Sequence, residues 1–158
     1  MSRRTVVSRQ PVGPVVKLLA LGLALWAGTA AADTRPARAQ LNYLHHCVGC
    51  HGIDGAGAPA KGVPSMKGTL GRFLQVPGGR EFIVQVPGVM NTPLSDRDVA
   101  ELMNWLLPRV SESTLPAGLR PYDGEEIARL RGSRPSDVGA RRQQLIDSGH
   151  AAGIAIEP

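Results

Sequence analysis

The sequence predicts an all-α fold, a small helical domain followed by a C-terminal extension, on three observations. "SDRDVAELMNWLL", residues 95–107, has the 3.6-residue apolar period of an amphipathic helix, with Val99, Leu102, Met103, Leu106 and Leu107 in step. The run "RPARAQLNYLHH" ahead of the two cysteines also reads as helix. The apolar segments "TLGRFLQV" and "GREFIVQV" are short, each closes on Val-Pro-Gly, and they read as short helices; no βαβ pattern surrounds the cysteines.

The elements follow in order. Arg3, Arg4, Arg9 and Lys17 precede the apolar run Leu18 to Ala32, which ends on small residues. A run this short, with a basic lead, reads as a cleavable signal peptide over residues 1–32, with Asp33 the first mature residue. An uncleaved membrane anchor is the alternative. The leader holds four of the 18 basic side chains and no acidic one, leaving 14 basic against 13 acidic in the mature chain. The high net charge therefore gives no ground for a nucleic-acid partner. After the leader the aromatics are Tyr43, Phe73, Phe82, Trp105 and Tyr122, a thin set for one core, and a large apolar cofactor would fill that gap.

Residues 36–46 are the expected first helix, with Leu41 and Leu44 on one face. "GIDGAGAPAKGVPSMKG" is too rich in Gly and Pro for regular structure. Pro77 and Pro87 are expected to stop the turns before them. Ser95 is a good N-cap for the helix at 95–107, with Asp96 and Asp98 in the first turn, and Pro108 marks its end. The division is a domain over 33–108 and an extension over 109–158. The extension is a linker followed by short helices at "EEIARLR" and "DVGARRQQLIDSG". Its basic residues 129, 131, 134, 141 and 142 read as a solvated surface rather than a docking patch.

"CVGCH", residues 47–51, holds both cysteines of the chain. A redox dithiol is expected after a strand in a βαβ setting, which is missing here. A structural zinc site needs four ligands, and there is no second cysteine pair; His150 stands alone. Covalent haem c uses all three residues. The two thiols link to the porphyrin, and the adjoining His51 binds iron through Nε2.

With that motif the chain resembles the class I c-type cytochromes over about residues 36–108. The shared order is helix, "CVGCHG", Gly-rich loop, Pro-bearing loop, methionine and amphipathic last helix. The resemblance implies a cytochrome c-like helical domain wrapped around one covalent haem c, linked through Cys47 and Cys50 and ligated by His51. It implies that Pro64, in "VPSMKG", accepts a hydrogen bond from Nδ1 of His51 and so orients the ring. Tyr43 would face the last helix. Met90, just ahead of Ser95, is the favoured sixth ligand and Met66 the alternative, although Met90 is not followed directly by the family's proline; Met103 reads as core.

The function this implies is a periplasmic single-electron carrier rather than an enzyme. It would act between a dehydrogenase or membrane complex and a terminal acceptor such as an oxidase or another cytochrome, free or as a dehydrogenase's electron-transfer subunit. Membrane association would follow only from an uncleaved signal. The competing class is a haem enzyme or a gas- or peroxide-binding sensor with an open or weakly held sixth position.

Overall fold

The computed structural model describes residues 35–157; the expected signal peptide lies outside them. The helices are α1 (Arg35–His46), α2 (Val48–His51), α3 (Thr69–Phe73), α4 (Gly79–Phe82), α5 (Pro87–Met90), α6 (Asp96–Ser111), α7 (Gly124–Arg131) and α8 (Val138–Ala151), with 3-10 turns at Pro59–Lys61 and Glu112–Thr114. Among the described residues there is no strand, only an isolated bridge between Ala58 and Val63. The all-α expectation is met, in an arrangement compatible with a cytochrome c-like helical fold.

Helix α6 is the long packing element, and α1 and α7 both lie against it. It starts where the sequence places it: the Ser95 hydroxyl accepts the Asp98 N–H at 3.2 Å. It does not stop at Pro108. The helix carries this proline inside and runs on to Ser111, across the expected boundary at 108/109. A proline here forgoes one backbone hydrogen bond, and tertiary bonds beyond it reward the extra turn. Ser111 donates its hydroxyl to the Met66 carbonyl at 3.0 Å, and the Val110 carbonyl accepts the Gly68 N–H at 2.7 Å. Pro87 stops the turn before it, as expected, and also opens a helix. Val86 is extended, as a residue before proline prefers, and Pro87 takes the first helical position.

The segment after residue 108 packs on the same core. Tyr122, Ile127, Leu145, Ile146 and Ile156 are buried together with Phe73, Phe82, Val99, Met103 and Leu107. Each such aliphatic side chain is worth about 1.5–3 kcal/mol of burial. A polar staple secures the segment. Arg80 on α4 donates Nε and Nη2 to the two Glu126 carboxylate oxygens at 2.7 and 2.8 Å, and its other bonds reach the carbonyls of Arg120 and Pro121. Tyr122 stacks under the guanidinium at 3.9 Å and donates its hydroxyl to the Arg80 carbonyl.

Glu126 is buried, and the bond from Arg80 holds its carboxyl below the ordinary value of 4.5, with Arg120 adding to the effect. A depressed carboxylate contributes fully above that ordinary value, and its contribution is lost as pH falls through the folded value. Glu126→Ala strands a mostly buried guanidinium and is expected to cost about 3 kcal/mol in urea unfolding at neutral pH. The difference between variant and wild type should shrink as the titration is repeated below pH 4.5.

Candidate functional site

The cysteine pair sits on one helical turn. Cys47 caps α2, its carbonyl accepts the N–H groups of Cys50 and His51 at 3.2 and 3.0 Å, and the turn closes with Gly52 N–H on Val48. Residues three and four apart on such a turn share a side. Cys47, Cys50 and His51 accordingly all line one cavity of about 400 Å³. Helix α1 holds this turn in place. Tyr43 of α1 donates its hydroxyl to the Gly52 carbonyl at 2.6 Å, and its ring lies 5.8 Å from that of Trp105 on α6. Tyr43 thus faces the last long helix of the domain as expected. Trp105 does not line the cavity; Arg109 covers it at 4.2 Å.

The loop after His51 folds back over it. Gly57 donates to the His51 carbonyl at 2.8 Å, and Ala58 pairs with Val63. A Cβ on Gly57 would meet the carbonyls of Val63 and Pro64 at 2.6 Å, and its φ of +68° also favours glycine. This close approach brings Pro64 and Met66 into the cavity wall. The rest of the wall is mainly apolar, including Phe73, Phe82 and Ile83 from the α3–α4 region and Val99, Leu102 and Leu106 from α6.

The two cysteines are free rather than disulfide-bonded. Burial, with a smaller push from Cys50, raises the Cys47 thiol above its ordinary value. A redox dithiol depends on a depressed thiol, so this environment runs against that chemistry. Among the described residues no group of three or more His, Cys, Asp or Glu could hold a metal ion by themselves. Burial pushes the His51 imidazole below its ordinary value, keeping it neutral with a nitrogen lone pair to give. Its Nδ1 is buried without a hydrogen-bond partner.

This lining suits a porphyrin. The cavity is large and mainly apolar, and two unpaired thiols and an imidazole stand on one wall. The residues present fit haem, with Cys47 and Cys50 to hold it and His51 to ligate iron.

Pro64 lines the cavity beside His51, but its carbonyl makes no bond to Nδ1; it packs instead against Gly57. Met90, the last residue of α5, is not part of the wall, whereas its neighbours Val89 and Thr92 are. The turn begun by Pro87 sets this phase, and Arg131 of α7 fixes it. That guanidinium donates to the carbonyls of Met90, Thr92 and Leu94 at 3.3, 2.9 and 3.0 Å, and to Asp96 at 2.8 Å. Met66 and Met103 do line the cavity, and both are buried.

The basic residues of the C-terminal segment divide. Arg129 and Arg134 are exposed, as a solvated face requires, but Arg131 and Arg142 turn inward. The sequence holds a signal for Arg142. It lies three and four residues before the buried Leu145 and Ile146, which puts it on their face of α8.

No family model matches the chain. It is 30% identical over 139 residues to a protein of Thiomonas intermedia (strain K12) named thiosulfate dehydrogenase electron acceptor. The match covers 82% of this chain and 60% of that protein, so the chain spans about three-fifths of the length of the curated relative it matches.

Proposed function

We propose that the protein is a periplasmic monohaem c-type cytochrome that carries single electrons from a dehydrogenase or membrane complex to a terminal acceptor. The observation that carries this reading is the placement of Cys47, Cys50 and His51 on one turn facing one apolar cavity. The relative's name, an electron acceptor of a dehydrogenase, supports an electron-transfer role and a dehydrogenase as donor. The signal-like leader supports the compartment, since c-type haem is attached outside the cytoplasm.

When bound, haem supplies a one-electron iron centre. The chain's own residues do the rest. Cys47 and Cys50 would hold the porphyrin through thioethers, a link that would survive denaturation. His51 would ligate the iron, and the turn bonded to Tyr43 holds the imidazole in place. Leu102, Leu106, Phe73 and Phe82 exclude water, which lowers the local dielectric and limits solvent reorganisation when charge changes.

Met66 lines the cavity and Met90 does not, which supports Met66 over Met90 as the sixth ligand; a site whose sixth iron position is open or weakly held is the second reading. One experiment tests both. The chain is secreted from a host that matures cytochromes, and its mass and its oxidised and reduced spectra are recorded. One added haem mass and a low-spin ferric spectrum are expected of the carrier. A methionine-to-iron charge-transfer band should then vanish in either Met90→Leu or Met66→Leu. A high-spin ferric spectrum in the wild type would replace the carrier by the ligand-binding reading, and a colourless product would end both.

A further inference from the structure

The cavity wall contains one full positive charge of unusual standing. Arg142, on α8, lines the cavity beside Phe73, with its guanidinium carbon 5.1 Å from that ring's centroid. Its Nη2 donates to the Glu157 carbonyl at 3.0 Å. Other inward or bridging arginines meet a carboxylate: Arg38 meets Glu101, Arg80 meets Glu126, and Arg131 meets Asp96. Among the described residues Arg142 makes no such ion pair, and burial alone pulls its pKa down. A guanidinium has five donors in a planar fork suited to a carboxylate, and a desolvated charge costs free energy unless it is paired.

We propose that Arg142 is a binding residue for the cofactor, its guanidinium pairing with a propionate carboxylate at the porphyrin edge. The proposal rests on the haem reading and adds to it a residue from beyond the cytochrome-like stretch. The C-terminal segment then completes the site instead of merely covering the domain. The fit is chemical: haem is apolar except for two carboxylates, and this cavity is largely apolar with a guanidinium in its wall. The pairing also has an electrostatic consequence. A fixed positive charge beside the ring favours the reduced form, which carries one negative charge more.

The test uses the matured full-length protein and reads the reduction potential by spectroelectrochemical titration. Arg142→Gln is expected to shift the reduction equilibrium about tenfold toward the oxidised form, a fall of about 59 mV for one electron. Arg142→Lys keeps the charge and should hold the potential near that of the wild type. Arg129→Gln, at an exposed position, should leave it unchanged. A merely structural arginine would lower the melting temperature in both Arg142 variants and leave the potential in place, and that result would overturn the proposal. If Arg142→Gln does not mature, nitrogen-15 arginine spectra of the unmodified protein decide. A slowly exchanging Arg142 Nε–H that moves between oxidation states supports the pairing; a freely exchanging, unmoved one refutes it. A wild type without haem would instead remove the underlying reading, so the two failures are distinguishable.

Discussion

Serine at both Cys47 and Cys50 is expected to abolish covalent haem: the denatured protein should lose one haem mass and show no Soret absorbance in the polypeptide peak. The argument is local and chemical. A hydroxyl does not form the thioether, and no other cysteine exists in the chain to take over. The single variants separate the two links. Cys47 is half-buried in the wall and Cys50 exposed, and each Ser variant should retain one link, with less mature protein. Denaturing mass spectrometry measures this without any partner or assay of activity. Unchanged haem mass in the double variant would refute the assignment of the two thiols.

Gly79→Val is expected to give the largest loss of stability. A Cβ at this position would lie within bonding reach of the Phe73 carbonyl oxygen, a backbone atom that cannot swing aside. The glycine lets α4 start directly on the end of α3, with its N–H on the Val76 carbonyl at 2.9 Å. That contact sets the Phe73 and Phe82 rings 5.3 Å apart in the cavity wall. Overpacking against fixed backbone costs about 3 kcal/mol or more, against a total of about 5–15 kcal/mol for a typical domain. Gly79→Val should therefore lower the unfolding free energy by about 3 kcal/mol or more in urea titrations followed by circular dichroism. Gly88→Ala, where a Cβ meets nothing within 4 Å, should stay within about 0.5 kcal/mol of the wild type. Equal stability of the two variants would show that the α3–α4 contact is not tight.

The site was legible where its chemistry is contiguous. Cys47, Cys50 and His51 lie within five residues, and any helical turn through them puts all three on one side. Ser95 was legible as an N-cap for the same reason, since its bond reaches only three residues ahead. Pro108 was misleading because local preference argues for a stop there, while the bonds that keep the helix going lie some 40 residues back at Met66 and Gly68. The resemblance favours Met90 from its place in the loop just ahead of Ser95. Its actual phase depends on where Pro87 starts a turn and on a guanidinium 41 residues away.

By itself the sequence determined the helical class, the cysteine turn and the imidazole beside it, because each rests on interactions within one turn of chain. Only the tertiary structure decided which arginines face the interior, which methionines reach the cavity wall, and that the segment from Leu115 to Ile156 shares the core instead of trailing from it. Those outcomes are set by packing between segments far apart in the chain, where burial of Ile127, Leu145 and Ile156 outweighs the local preference of a basic, linker-like stretch for solvent.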